Sequence, residues 1–194
     1  MSIIEGDDKM PIGLIILLIV VILIVIWFVS SYNKLVGLRN DAREGFSTMD
    51  VYLKKRFDLI PNLVETVKGY ASHESTTLEK VVKARNSIAS STTIDEKLKN
   101  ENMLTNTLRS LFALSESYPD LKANQNFIDL QEKIEGVEED IANSRKYYNG
   151  TVKVLNNAIE MFPSNIIAKI FKFEEMTMFE VSDEEERKNV KVQF

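Results

Sequence analysis

The chain has 194 residues, a formal net charge of −5 and 27% charged residues, with 7 Gly, 4 Pro, 1 His and no cysteine. That composition excludes a disulfide framework, a zinc–thiolate or iron–sulfur site and thiol–histidine catalysis, and it offers nucleic acid no basic footprint. Sparse proline and glycine point to helices over a loop-rich fold.

Residues 1–9, MSIIEGDDK, form a short acidic leader. Residues 10–31 are predicted to cross a membrane. Met10 to Val29 is a run of about 20 residues without a charge, roughly 30 Å of helix and the thickness of a bilayer's hydrocarbon core. Ile12, Leu17, Ile22, Trp27 and Val29 mark the span. Trp27 and Tyr32 stand at one end, where amphipathic rings favour the lipid–water interface. A cleaved signal peptide wants a basic start and a shorter apolar run, neither of which is present. Membrane lipid is therefore the first expected partner. Only Lys9 precedes the span, whereas Lys34, Arg39, Arg43, Lys54, Lys55 and Arg56 follow it. The positive-inside rule then predicts a cell-membrane protein with its N-terminus outside and its C-terminal domain in the cytoplasm.

Beyond the span the pattern becomes a helical stripe. Leu35, Leu38, Ala42, Phe46, Met49, Leu53, Phe57, Ile60, Val64, Val67 and Ala71 step by three or four, with polar residues between. Pro61 interrupts it, and Asn62-x-x-Glu65 resembles a capping box. The unbroken phase favours one kinked helix, whereas the caps and helix lengths favour a turn at residues 58–62. We take the turn. The second helix then runs from Pro61 to about Ala89, with Glu74 and Arg85 at the edge of its stripe. Ser90-Ser91-Thr92-Thr93 is a polar loop, and Thr93-x-x-Glu96 caps a third helix that Pro119 stops. A fourth carries Phe127, Leu130, Ile134, Val137, Ile141, Tyr148, Val152, Leu155, Ile159 and Phe162. Asn149-Gly150 lies inside it as a weak spot without a break. Tyr147-Tyr148 is expected to be half core and half rim.

The expected fold is all-α: a transmembrane helix followed by an antiparallel up-and-down four-helix bundle with long helices, residues 32–162. An even helix count returns the chain to the bilayer. Residues 163–173, PSNIIAKIFKF, then form a short apolar membrane-proximal segment in which Ile166, Ile167, Ile170 and Phe171 are a candidate interaction patch. They either lie against headgroups or close the open end of the bundle. Residues 174–194 are an acidic tail. Its run Asp183-Glu184-Glu185-Glu186 is a solvated charge cluster without calcium-loop spacing, and Val190–Phe194 alternates like a short strand.

No constellation of catalytic residues emerges. His73 is the sole histidine, no Gly-rich phosphate loop or GxSxG is present, and Glu138/Glu139 lack the Glu-x-x-His partners of a di-metal bundle. No catalytic, cofactor or metal residue is expected, and the chain is read as a non-enzyme.

The strings YNKLVGLRND (residues 32–41), KKRFDLIPNLVETVKGYASHE (54–74), YPDLKANQNF (118–127), IANSRKYYN (141–149) and FPSNIIAKIF (162–171) resemble the LemA family of prokaryotic membrane proteins. The resemblance implies a single N-terminal span, a helical bundle and no known enzymatic activity. It also implies company with membrane proteins, since family genes often lie beside those for HtpX-like membrane metalloproteases. Two functional expectations follow. One is a membrane scaffold that self-associates as a homo-oligomer and organises or remodels the bilayer. The other is an adaptor that holds a membrane-protein partner such as an HtpX-like protease.

Overall fold

The span and the first bundle helix are a single element. In the computed structural model, which describes residues 12–179, helix α1 runs without a break from Ile12 to Tyr70, 59 residues or about 88 Å. It is followed by α2 (Ser75–Ala89), α3 (Ile94–Ser115), the single turn α4 (Pro119–Lys122), α5 (Gln125–Glu160) and α6 (Ser164–Ile170). Among the described residues there is no strand. The chain is all-α, with an apolar N-terminal helix and bundle-like packing, as its pattern predicted.

The expected turn at residues 58–62 is absent, and the chain reverses at residues 71–74 instead. Pro61 lies inside α1 on its exposed side. A proline there withholds the N–H that would bond the carbonyl four residues earlier, here Phe57. Arg85 of α2 fills that gap. Its Nε–H donates to the Phe57 carbonyl at 3.3 Å, and its guanidinium sits 4.0 Å from the centre of the Phe57 ring. Asn62 caps nothing; its carbonyl accepts from the Thr66 hydroxyl at 2.8 Å, an ordinary mid-helix back-bond. The stripe keeps its phase because the helix never stops.

This moves length between the expected helices and makes the bundle uneven. α1 and α5 are long and antiparallel, so Gly45 faces Tyr148 and Leu35 lies near Ala158 and Ile159. At Gly45 a side chain would meet the Tyr148 Cα and the Thr151 hydroxyl at 3.2 Å, which is why the two backbones can approach there. The hairpin α2–α3 covers only the half of this pair far from the span. Its Leu78, Val81, Leu104 and Leu111 form a core with Ile60, Leu63, Val67 and Phe127. Nearer the span, Met49, Leu53, Tyr148, Val152 and Leu155 form a second core.

The caps behave as their sequence suggests. Thr93 accepts from the Glu96 N–H at 3.1 Å, and Glu96 Oε2 reaches back to the Thr92 N–H at 2.9 Å. Those Thr92 bonds hold the Glu96 carboxyl below its ordinary range. Thr93→Ala is expected to cost about 1 kcal/mol, read as a lower urea midpoint at unchanged slope. Asn124 caps α5 in the same way through the Phe127 N–H, at 3.0 Å. The helix then continues through Asn149 and Gly150 as expected. Tyr148 is buried and Tyr147 exposed.

The tail is not free from its start. Residues 174–179 lie extended along the bundle, bonded to α5 by side chains. The leader, the acidic run at Asp183–Glu186 and the alternating Val190–Phe194 lie outside the described residues.

Candidate membrane-proximal site

Where α1 leaves its apolar stretch, α6 packs against it. Ile167 and Ala168 bury against Leu35 and Phe173, flanked by Trp27, Phe28 and Tyr32. The Phe171 ring centre lies 4.6 Å from that of Tyr32 and 5.8 Å from that of Phe28, distances at which tilted aromatic pairs attract. The chain's return along α5 thus brings residues 163–173 against residues 27–35 of α1.

Of the four patch residues, Ile166, Ile170 and Phe171 face outward, while Ile167 is fully buried at 0%. Ile167 lies on the face of α6 turned toward α1 and belongs to the core against Leu35. Two residues that the sequence reading left off the patch join it: Met161 and Phe162, the latter 79% exposed. The result is an apolar shelf beside the span, with Lys169 and Lys172 exposed among its members. Ile12, Leu17, Ile22 and Val29 all project from α1 into open space, as a lipid-facing helix requires, and Trp27 is half covered where α1 meets α6.

Above the shelf, residues 174–179 run away from the membrane end over α1 and α5. Asn156 donates its side-chain Nδ2 to the Met176 carbonyl at 2.9 Å and accepts the Met176 N–H at 3.0 Å. Asn149 does the same to Phe179, at 3.0 and 2.8 Å. The Tyr148 hydroxyl donates to the Thr177 carbonyl at 2.7 Å. Arg39 of α1 stands over the Phe173 ring and Arg145 of α5 over the Phe179 ring, at 5.0 and 4.2 Å. No sequence motif announced this, since an exposed-looking asparagine on a helix carries no signal of its partner.

Burial, with a smaller contribution from Asp95, pushes the Tyr148 hydroxyl up to about 12. The folded chain holds this proton more tightly than the unfolded chain does. The associated stability is therefore complete below the ordinary tyrosine range near 10 and is lost as pH climbs toward 12. Tyr148→Phe is expected to flatten the fall in melting temperature over that interval.

A second polar cluster lies deeper, midway along the bundle. Arg56 of α1, 0% exposed, bonds Glu101 of α3 through Nη2 at 2.6 Å and the Thr105 hydroxyl through Nη1 at 2.8 Å, and also pairs with Glu138 of α5. Burial raises the Glu101 carboxyl above its ordinary range, with the Arg56 charge working against it. The cluster ties three helices to one register. The sequence reading counted Arg56 only among the charges that follow the span, and Glu138 only as half of an acidic pair. His73 is exposed in the turn after α1.

Residues 45–194 match the sequence profile of the LemA family, most of the chain. The chain belongs to the LemA family. It is similar to Protein LemA of Metamycoplasma hominis, with 24% identity over 160 residues covering 80% of this chain and 72% of that protein. It is also similar to the magnetosome protein MamQ of Magnetospirillum gryphiswaldense, with 22% identity over 200 residues covering 90% and 74%. Neither name describes a reaction. Family membership and the apolar stretch of α1, at mean hydropathy 3.6, together make this LemA-family chain a membrane-associated helical protein.

Proposed function

We propose that this LemA-family chain is a non-enzymatic, membrane-anchored scaffold that self-associates and organises or remodels the bilayer, with its helical domain on the cytoplasmic side. The observation that carries this reading is the apolar shelf of Met161, Phe162, Ile166, Ile170 and Phe171 beside the span. A soluble domain has no use for such a shelf at the mouth of its own anchor. Seated at headgroup depth with Lys169 and Lys172 at its edge, it widens the protein in one leaflet only, which favours local curvature. Support for self-association comes from the end of α5, where Tyr147 and Val154, two turns apart, are exposed apolar side chains that no other described element covers. The magnetosome name of one relative agrees with a role at membranes.

The test is particle mass. The full chain extracted in mild detergent is expected to scatter light as a large, uniform particle, and Ile166→Asp with Ile170→Asp should reduce it to small species without unfolding. A wild-type monomer would sink the scaffold. It would leave the adaptor, to be sought by crosslinking to a membrane-protein partner such as an HtpX-like protease.

A further inference from the structure

The pair α1–α5 has two long sides, and residues 174–179 cover one of them, against Asn149 and Asn156 of α5. At about 100° per residue, Val154, Ala158 and Met161 point the opposite way. There they form one wall of an open groove of about 480 Å³, a volume suited to a small ligand. The other wall is a single stripe of α1, where Trp27, Ser31, Lys34 and Leu38 step by three or four. The groove opens onto the span. Three and seven positions before Trp27, on the same side of α1, Ile24 and Val20 are exposed. Lys34 stands two turns beyond Trp27, about 10.5 Å. A tryptophan ring marks the edge of the hydrocarbon, and a headgroup layer about 5–8 Å thick begins there, within reach of a flexible lysine stem. Lys34 is exposed and is the one charge among the described residues that line the groove. Two further turns along the stripe, Asp41 lines the groove's continuation with Tyr147. An anion is therefore favoured at Lys34 and repelled beyond it.

We propose that this groove holds one phospholipid of net negative charge. Its phosphate sits on the Lys34 ammonium, its glycerol esters lie beside Ser31, and its acyl chains leave past Trp27 along the bare side of the span. Charge and polarity change along the groove in the order a lipid presents them, apolar at the span and cationic at headgroup height. A zwitterionic lipid brings the same phosphate, but its ammonium finds no carboxylate among the described lining residues, so net negative charge is preferred. A lipid held between α1 and the end of α5 joins the helical domain to one leaflet. The inference rests on α1 lying in a bilayer, as the membrane-anchored reading has it, and does not depend on self-association.

The chain carries a single tryptophan, so Trp27 reports on the groove by its own fluorescence. The full chain is reconstituted into phosphatidylcholine vesicles, and a small share of the lipid is replaced by brominated-chain phosphatidylglycerol or brominated-chain phosphatidylcholine. Quenching by the anionic lipid is expected to report a several-fold higher relative affinity. Lys34→Gln should bring that ratio near one, Lys34→Arg should keep it, and Lys169→Gln, which removes an equal charge from α6, should leave it in place. Asn157→Phe fills the groove from an exposed position of α5 without changing charge, and it should also abolish the preference. Circular dichroism checks that this variant keeps its helix content, and Lys34→Gln tests the site independently. Equal quenching in the unsubstituted chain overturns the proposal. So does a preference that survives Asn157→Phe or falls equally with Lys169→Gln, since either makes the attraction diffuse. Weak quenching by both lipids would put a second copy in the groove and overturn it too. Light scattering of the same protein judges the scaffold separately, because particle size and lipid preference can fail one without the other.

Discussion

Arg56→Ala is expected to destabilise the bundle by roughly 3–5 kcal/mol, the largest effect of any single substitution considered. The guanidinium is wholly buried and bonds Glu101, Glu138 and Thr105 from two neighbouring helices. Its removal leaves Glu101, 1% exposed, as a buried carboxylate stripped of its bonded counter-charge, with only the weaker influence of Lys97 remaining. The penalty depends on that charge, and burial already raises the Glu101 pKa in the intact protein. The folded variant will therefore bind a proton more readily than the unfolded chain, and its stability will fall as pH rises through the carboxylate range. Urea unfolding at acid and neutral pH checks this; equal losses at both would show that packing, not charge, carries the effect. Replacing the pair together, Arg56→Met with Glu101→Leu, is expected to recover most of the loss, because apolar side chains of similar volume need no desolvation. If so, the cluster's contribution is register: α1, α3 and α5 meet in one alignment only, which their apolar stripes alone do not enforce.

Arg85→Ala ranks second, at about 2–3 kcal/mol, since it strips a part-buried carbonyl of its donor and removes a cation from an aromatic face. Arg85 matters because Pro61 has no N–H to give Phe57. In a Pro61→Ala background the helix supplies that bond itself, and the cost of losing Arg85 should fall to what the ring contact alone provides. A double-mutant cycle reads this directly, and additive effects within about 0.5 kcal/mol would reject the repair role.

The sequence made the span, the α-class, the polar loop at residues 90–93, the Thr93 cap and the uninterrupted α5 legible, because each rests on local chemistry or on a period within one helix. It misplaced the first reversal for a physical reason. Pro61 with Asn62-x-x-Glu65 carries the local signature of a helix start, and the group that overrides it comes from Arg85, 24 positions further on. The phase of the stripe through Pro61 was the better witness. In the candidate site, the facing of individual residues was not legible. Ile166 and Ile167 are alike in sequence and opposite in burial, since orientation depends on how α6 is rolled against Leu35 and Tyr32. The docking of residues 174–179 stayed hidden because it is recognised through main-chain atoms, which every residue has.

The unbroken course of α1 has a mechanical consequence. A flexible joint between anchor and domain would let the two move independently, and α1 has none between Ile12 and Tyr70. From Tyr32 to its tip the helix projects about 57 Å, so a change of about 10° in the tilt of the span would swing the tip by about 10 Å. Tilt is how a span adjusts to the thickness of the bilayer around it. An unbroken α1 thus couples any tilt of its apolar stretch directly to the position of the turn at residues 71–74.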